Sequence, residues 1–488
     1  MIPTLPGVYT QEFTARQRQV SEVASTLPAL IGYTEKACWR GKDLTLRPSR
    51  IASMLDYEQR FGGAARPAQL QVTLDNRNRP TQVELQPLYL LHAALQLFFA
   101  NGGGPCYILS VGPYQHKGKK NLAQLSAGVE ALRSSDEITL LLCPDAVQLG
   151  APALASLQQL MLRQCAQRRD RFALLDLDES ASHADAVAQF RTLLGTQHLA
   201  YGASYTPHLQ SRFSSDFHYP DIRLLRNGMT VTLHAISQQA GIDTRSLSAL
   251  EAARQATPRD ARQTAPNPRE RELEWQLEQS NPIYAGIARA IRAQGVRLPP
   301  SAAIAGAYAR VDGDRGVWKA PANIALNGVQ ALSVAIDNPA QQDLNIDPLG
   351  GKSVNAIRAF SGRGILVWGA RTLAGNDNEW RYIPVRRFYN QIEQSLTRST
   401  QWAVNEANDA NLWQPLRAMI DRYLTEKWRD GALQGSKPSD AFFIRVGLGS
   451  SMTSQDLIDG RLIILVGVAL VRPAEFITLR ISHRMAPF

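Results

Sequence analysis

Cysteine is scarce. Four cysteines in 488 residues, Cys38, Cys106, Cys143 and Cys165, stand far apart with no Cys-x-x-Cys pair. That excludes a disulfide framework or a zinc ribbon and points to reduced thiols packed in cores. Long apolar runs are also lacking. The longest, Leu462–Val471, falls well short of the roughly 20 residues a membrane-spanning helix needs and reads as a buried strand. The opening Met-Ile-Pro-Thr-Leu-Pro-Gly has no basic and apolar leader pattern, so no secretory signal is expected. The net charge of +10 is spread without a basic run. The densest cluster, Arg163, Arg168, Arg169 and Arg171, is broken by Asp170 and reads as a solvated helix face rather than a phosphate site. Nothing here calls for direct nucleic-acid or membrane binding.

Catalytic and metal patterns are missing in the same way. Neither H-E-x-x-H nor G-x-S-x-G occurs, and the nearest histidines, His208, His218 and His234, lack ligand spacing. Gly350-Gly351-Lys352-Ser353 ends like a phosphate loop, but Ile346 stands where the first glycine must be. Gly102-Gly103-Gly104 follows a helix and precedes a strand, the reverse of a dinucleotide fingerprint, and reads as a turn. The Asp312–Gly316 stretch starts like a calcium loop, yet Gly316 replaces the third ligand. Asp176, Asp178 and Glu179 follow a strand end, where solvated acids are common. No enzyme activity, cofactor or metal is expected.

What is present is a mixed α/β pattern. Residues 1–24 hold little to bury and read as an extended arm. From there, strands at Ala29–Tyr33, Cys106–Val111, Glu137–Cys143, Phe172–Leu177 and Leu199–Tyr205 alternate with helices at Ser49–Phe61, Leu85–Phe99, Ala151–Arg168 and Ser182–Leu194. Such alternation predicts a largely parallel sheet between helices. The rhythm breaks over about 209–282. There Arg226-Asn227-Gly228 signals a hairpin, and Ala252–Arg271 reads as mobile or laid on the surface, so the piece is expected to be a solvent-facing insertion. One strand lies at Gly362–Leu366 or Gly364–Trp368, and a helix at Tyr382–Leu396.

The C-terminal stretch is the most strongly patterned. Leu412, Trp413, Leu416, Met419, Ile420, Tyr423, Leu424 and Trp428 recur at helical spacing, with Asn411 as the expected cap and Gly431 as the stop. Pro415 is expected in the first turn. Strands follow at Ala441–Leu448, Arg461–Val471 and Glu475–Ser482, the last alternating Ile477, Leu479 and Ile481 against Thr478 and Arg480.

Here the segments QWAVNEAND, NLW, GALQG, MTSQDLIDGRLII and VGVALVRPAEFITLRI resemble the C-terminal block of contractile tail sheath proteins of phages, R-type bacteriocins and extracellular injection systems. Pro6–Glu12, Ile31–Ala37, Phe98–Val111, Pro299–Asn323 and Asn355–Leu373 are similar to the family's earlier signatures, in the family's order. The resemblance implies a mixed α/β sheath fold. Its parts would be an N-terminal linking arm (1–24), an outer domain (25–360, with the insertion), a core domain (361–473) and a C-terminal linking arm (474–488).

It further implies a helical homopolymer, with or without paralogous sheath subunits, around an inner tube protein, joined to a baseplate and a terminator cap. Contraction would drive the tube through a target envelope. The system is expected to be an extracellular injection system. A phage tail conducting DNA, or a non-contractile capsid or baseplate protein, is the alternative. Assembly would take place in the bacterial cytoplasm and the product would be a released particle or virion. Strand addition between subunits would fall to Val8, Tyr9, Thr10 and Glu12 at one end and Phe476, Ile477, Thr478, Leu479, Arg480 and Ile481 at the other. Tube-facing charges are expected at Arg417, Asp421, Arg422 and Glu426, on the polar side of the Leu412–Arg429 helix.

Overall fold

Seven consecutive buried residues, Pro28–Thr34, form strand β1, third from one edge of the main sheet. The computed structural model describes residues 19–115, 120–256 and 268–475. The sheet has nine strands, numbered along the chain as β1, β2 (Ser49–Ile51), β3 (Cys106–Pro113), β4 (Leu140–Leu142), β5 (Phe172–Leu175), β6 (Gly202–Thr206), β7 (Ile324–Ala325), β8 (Asn355–Phe360) and β9 (Gly364–Val367). Their spatial order is β7-β9-β8-β6-β5-β4-β1-β3-β2. The inner six pair in parallel, as the alternating pattern predicts, and the antiparallel pairs are confined to the flanks.

Both faces are covered, because β1 alternates its side chains between two cores. Leu30 joins helices α1 (Leu91–Ala100) and, downstream, the Ser301–Arg315 helix. Ala29, Ile31 and Tyr33 join α2 (Leu122–Ala131), α3 (Ala151–Arg168) and α4 (His183–Leu193). The Ser301–Arg315 helix, α5, is rich in alanine and packs closely on α1. A Cβ at Gly306 would come within 2.3 Å of the Phe98 carbonyl oxygen, so only glycine fits there.

Several boundaries differ from those expected. The Ser49–Phe61 stretch is strand β2 followed by a helix, Met54–Phe61, because the Ser53 side chain caps the Asp56 N–H. Leu85 belongs to a strand, Pro80–Pro87, and helix α1 starts only at Leu91. That strand pairs with Pro67–Leu74, which runs parallel to Ile222–Arg226.

The expected surface insertion is therefore half of a small α/β module with its own core, including Leu70, Val72, Leu224, Leu250, Leu273 and Ile287. Asn227 and Gly228 take the positive φ of the predicted hairpin turn. Most of Ala252–Arg271 lies outside the described residues. Its flanks, however, belong to helices Arg245–Ala256 and Pro268–Ser280, whose leucines enter that core.

Two compact units emerge. The larger holds Ala24–Asn390 with residues 472–475, and the smaller holds residues 19–23 with Gln391–Val471. The β8–β9 hairpin keeps the main sheet going past residue 360, where the sequence suggests a boundary. Helix α6, Ile383–Ser399, carries the chain from the larger unit into the smaller. There α7, Ala410–Arg429, precedes a hairpin of β10 (Phe442–Val446) and β11 (Ile464–Val468). Asp409, not Asn411, caps α7 by accepting the Asn411 and Leu412 N–H groups, and Gly431 takes the expected positive φ. The earlier start puts Pro415 beyond the first turn. Among the described residues no helix is long and apolar enough to cross a membrane.

Candidate functional site

The larger unit offers the place where a doubly wound sheet usually takes a ligand. From β1 the chain moves to β3 on one side, and β4 lies on the other, so the strand order switches between β1 and β4. At the carboxyl end of this pair sits Asp145, wholly buried. Its Oδ2 accepts the Tyr33 N–H at 2.9 Å and its Oδ1 accepts the Leu90 N–H at 2.6 Å. Leu90 opens α1 and has no side-chain cap of its own. The carboxylate thus occupies the anion position at a helix N-terminus. Burial pushes the Asp145 carboxyl up, and a Cβ at Gly32 would come within 2.6 Å of Oδ2. The N-terminus of α1 at the switch point is thus capped by the chain's own carboxyl group.

The other polar patterns are also structural. Asp176 and Glu179 are buried, not solvated. Ser301 donates its N–H and hydroxyl to Asp176 at 3.0 and 2.5 Å, and burial pushes that carboxyl up to about 7. Burial alone would raise Glu179, but His208 and donors that include the Ser333 and Thr206 hydroxyls outweigh it and hold the carboxyl low. Arg171 corrects the solvated-face reading. It is fully buried, donating to Asp170 Oδ1 at 2.7 Å, the Leu132 carbonyl at 2.9 Å and the Ser135 carbonyl at 2.6 Å.

Lys352 of the glycine pair is buried, its N–H donating to Asp347 and its ammonium to the Arg191 carbonyl. Asp312 lies on α5 and binds Arg387 at 2.5 and 3.1 Å, with Arg387 also over the Tyr308 ring. The three histidines have separate partners: Leu177, Glu274 and Gln238. Among the described residues no three His, Cys, Asp or Glu side chains are grouped to hold a metal.

The smaller unit carries a two-stranded hairpin. β10 and β11 form a two-stranded antiparallel sheet in which Phe442 faces Val468 and Ile444 faces Val466. Among the described residues, neither outer edge of this hairpin pairs with a further strand. An isolated hairpin is marginal in water, and open edges are templates for another strand. One face rests against α7 through β10. On the other, Phe443 and Leu465 are half exposed, and Leu448 beyond β10 adds to the exposed apolar surface.

The N-terminal chain lies along α6 in the same unit. Ser399 Oγ accepts the Ser21 N–H at 2.9 Å, Ser395 Oγ accepts the Val23 N–H at 3.1 Å, and Gln391 donates to the Val23 carbonyl at 2.9 Å. Lys427 of α7 binds Glu22 at 2.7 Å. Sequence reasoning missed this seat, although Gln391, Ser395 and Ser399 sit at four-residue spacing on one helical face.

Of the residues expected to act, Val8, Tyr9, Thr10 and Glu12, and Phe476 to Ile481, lie outside the described residues. Arg417, Asp421 and Glu426 are exposed on α7 opposite its buried Leu416, Ile420 and Leu424, and Arg422 is half buried.

Residues 375–484 match the phage tail sheath C-terminal domain. The tail sheath protein of Burkholderia phage BcepMu is 34% identical over 148 residues, which make up 29% of this chain and 30% of that protein. The chain thus spans about a third of that curated relative. Two solved structures match over nearly the whole length. A chain of the anti-feeding prophage baseplate is 29% identical with a TM-score of 0.61, covering 99% of this chain and 100% of that one. A chain of the PVC sheath complex, an extracellular contractile injection system in its contracted state, is 25% identical with a TM-score of 0.61, covering 99% and 98%. Sequence and fold alike are similar to the contractile tail sheath proteins. The chain is a relative of the contractile tail sheath proteins, with their mixed α/β fold.

Proposed function

We propose that this chain is the sheath subunit of an extracellular contractile injection system. It polymerises helically around an inner tube protein, between a baseplate and a terminator cap, and contracts to drive the tube through a target envelope. The observation that carries this reading is the end-to-end likeness to chains of the anti-feeding prophage and the PVC sheath complex, set against the partial span shared with a phage protein. The subunit acts by changing its packing with neighbours, a bistable interface released from one end, and needs no catalysis. Asp145 in the switch-point crevice supports that view. Assembly occurs in the bacterial cytoplasm, and the finished particle is released.

The linking arms, residues 1–24 and 474–488, add strands to the β10–β11 hairpin of neighbouring subunits, through Val8–Glu12 and Phe476–Ile481. Residues 361–473 form the core that stacks on the tube, and residues 25–360 form the outer domain. The open hairpin edges and the half-exposed Phe443 and Leu465 support this assignment. Deleting Met1–Ala15, or separately Phe476–Phe488, should leave a soluble, folded protomer that builds no tubes on negative-stain grids. Full-length contractile sheaths from either truncation would overturn the reading.

A further inference from the structure

The last described residue before the C-terminal segment is gripped by a built site. Glu475 receives three hydrogen bonds. Arg371 donates Nε to Oε1 and a terminal nitrogen to Oε2, both at 2.8 Å, and the Tyr382 hydroxyl donates to Oε2 at 3.1 Å. This is the two-pronged arrangement that fixes direction as well as distance, because the guanidinium fork matches the carboxylate plane.

Arg371 is itself held. Its side chain is 8% exposed and gives a further bond to the Asn345 carbonyl at 3.2 Å. Its backbone exchanges two bonds with the buried Asn355 side chain, each 2.8 Å. An exposed ion pair between two flexible side chains adds little, but a pre-set, buried arginine loses little freedom on binding. Upstream, Val471 donates to the Ala432 carbonyl at 3.3 Å at the far end of β11. Between the two ties lie only Arg472, Pro473 and Ala474.

We propose that Arg371, with Tyr382, is an anchor that sets where and in which direction the C-terminal arm leaves the protomer. This rests on the linking-arm reading given above. Tension drawn along the arm reaches Glu475 first, and the fork carries it into the main sheet through Asn355 on β8. Without the anchor the same load falls on the end of β11, where a hairpin ladder opens one pair at a time. The backbone bonds there are individually weak, so peeling is easy from an end. The anchor therefore protects the hairpin that receives a neighbour's strands.

The test reads the anchor directly and then its consequence. Arg371→Met and the milder Tyr382→Phe leave the sequence around Phe476 unchanged. In full-length, unassembled protein, chymotryptic cleavage after Phe476 should speed up about tenfold in Arg371→Met and about threefold in Tyr382→Phe, following the population of the released segment. Cleavage at the parental rate in Tyr382→Phe and in any folded Arg371→Met would overturn the proposal. Sheaths of the faster-cleaved variant should assemble and then break into short pieces when contraction is triggered. Intact contracted sheaths from that variant would overturn it equally. The Phe476–Phe488 deletion separates the two readings. If it builds normal sheaths, the linking-arm reading fails, whereas the cleavage rate still judges the grip on Glu475.

Discussion

Phe443 lies over Gly467 across the β10–β11 pair, so that a Cβ built on Gly467 would come within 2.1 Å of the Phe443 ring. The glycine lets an aromatic side chain on the outer face lie flat against the sheet. That keeps the exposed face of the hairpin low.

Gly467→Ala should therefore swing the half-exposed ring outward rather than unfold the protomer. The unfolding free energy from urea titration is expected to fall by no more than about 1 kcal/mol, the scale of a forced rotamer change. Tube formation on negative-stain grids should be lost or sharply reduced. Normal tubes would show that this face takes no part in assembly.

Arg417 and Arg422 test the tube-facing assignment. Reversing both to glutamate should abolish co-assembly with the inner tube while sheath-only polymers still form. Exposed charge pairs contribute about 0–1 kcal/mol each, so protomer stability should hardly move. Unchanged co-sedimentation with tube would place the tube contact elsewhere.

The Asp312–Arg387 pair is buried on both sides, 5% and 3% exposed. Asp312→Ala should cost about 3–5 kcal/mol, because it strands a buried guanidinium. Asp312→Leu combined with Arg387→Met should cost much less. Urea midpoints of the three proteins check the order.

Asp176 makes a pH prediction. Its carboxyl is raised from the usual range to about 7 by burial, so between these values the folded state binds a proton that the unfolded chain does not. Its contribution is fully present below the unfolded value and is lost as pH rises through about 7. The unfolding free energy from urea titration should fall over that window, at up to about 1.4 kcal/mol per pH unit from this group. Asp176→Asn should flatten the slope, and an unchanged slope would assign it to other groups.

Much of the fold was legible because its signals are local. The alternation of apolar strands and helices led to the parallel sheet, and Asn227-Gly228 to its hairpin. Leu85 was misread because one apolar stretch, Leu85–Phe99, crosses from a strand into a helix without changing character. Only Pro87 marks the break.

Pairings over long chain distances left no local trace. Pro67–Leu74 finds Ile222–Arg226, and Arg371 finds Glu475. Arg171 looked like one of four surface arginines. Its burial depends on two carbonyls, of Leu132 and Ser135, that no sequence pattern marks. The smaller unit was the easier part, since α7 and its hairpin are consecutive and strongly periodic.

Asp145 has a consequence for a particle that must wait. A site filled by a diffusible anion empties when the surroundings are diluted, and the stability such a ligand lends falls with its concentration. A carboxylate tethered to the same chain has no such dependence. The end of the main sheet keeps this carboxyl group whatever the surrounding solution holds. On the injection-system reading proposed above, this corner of the protomer draws no stability from a diffusible anion.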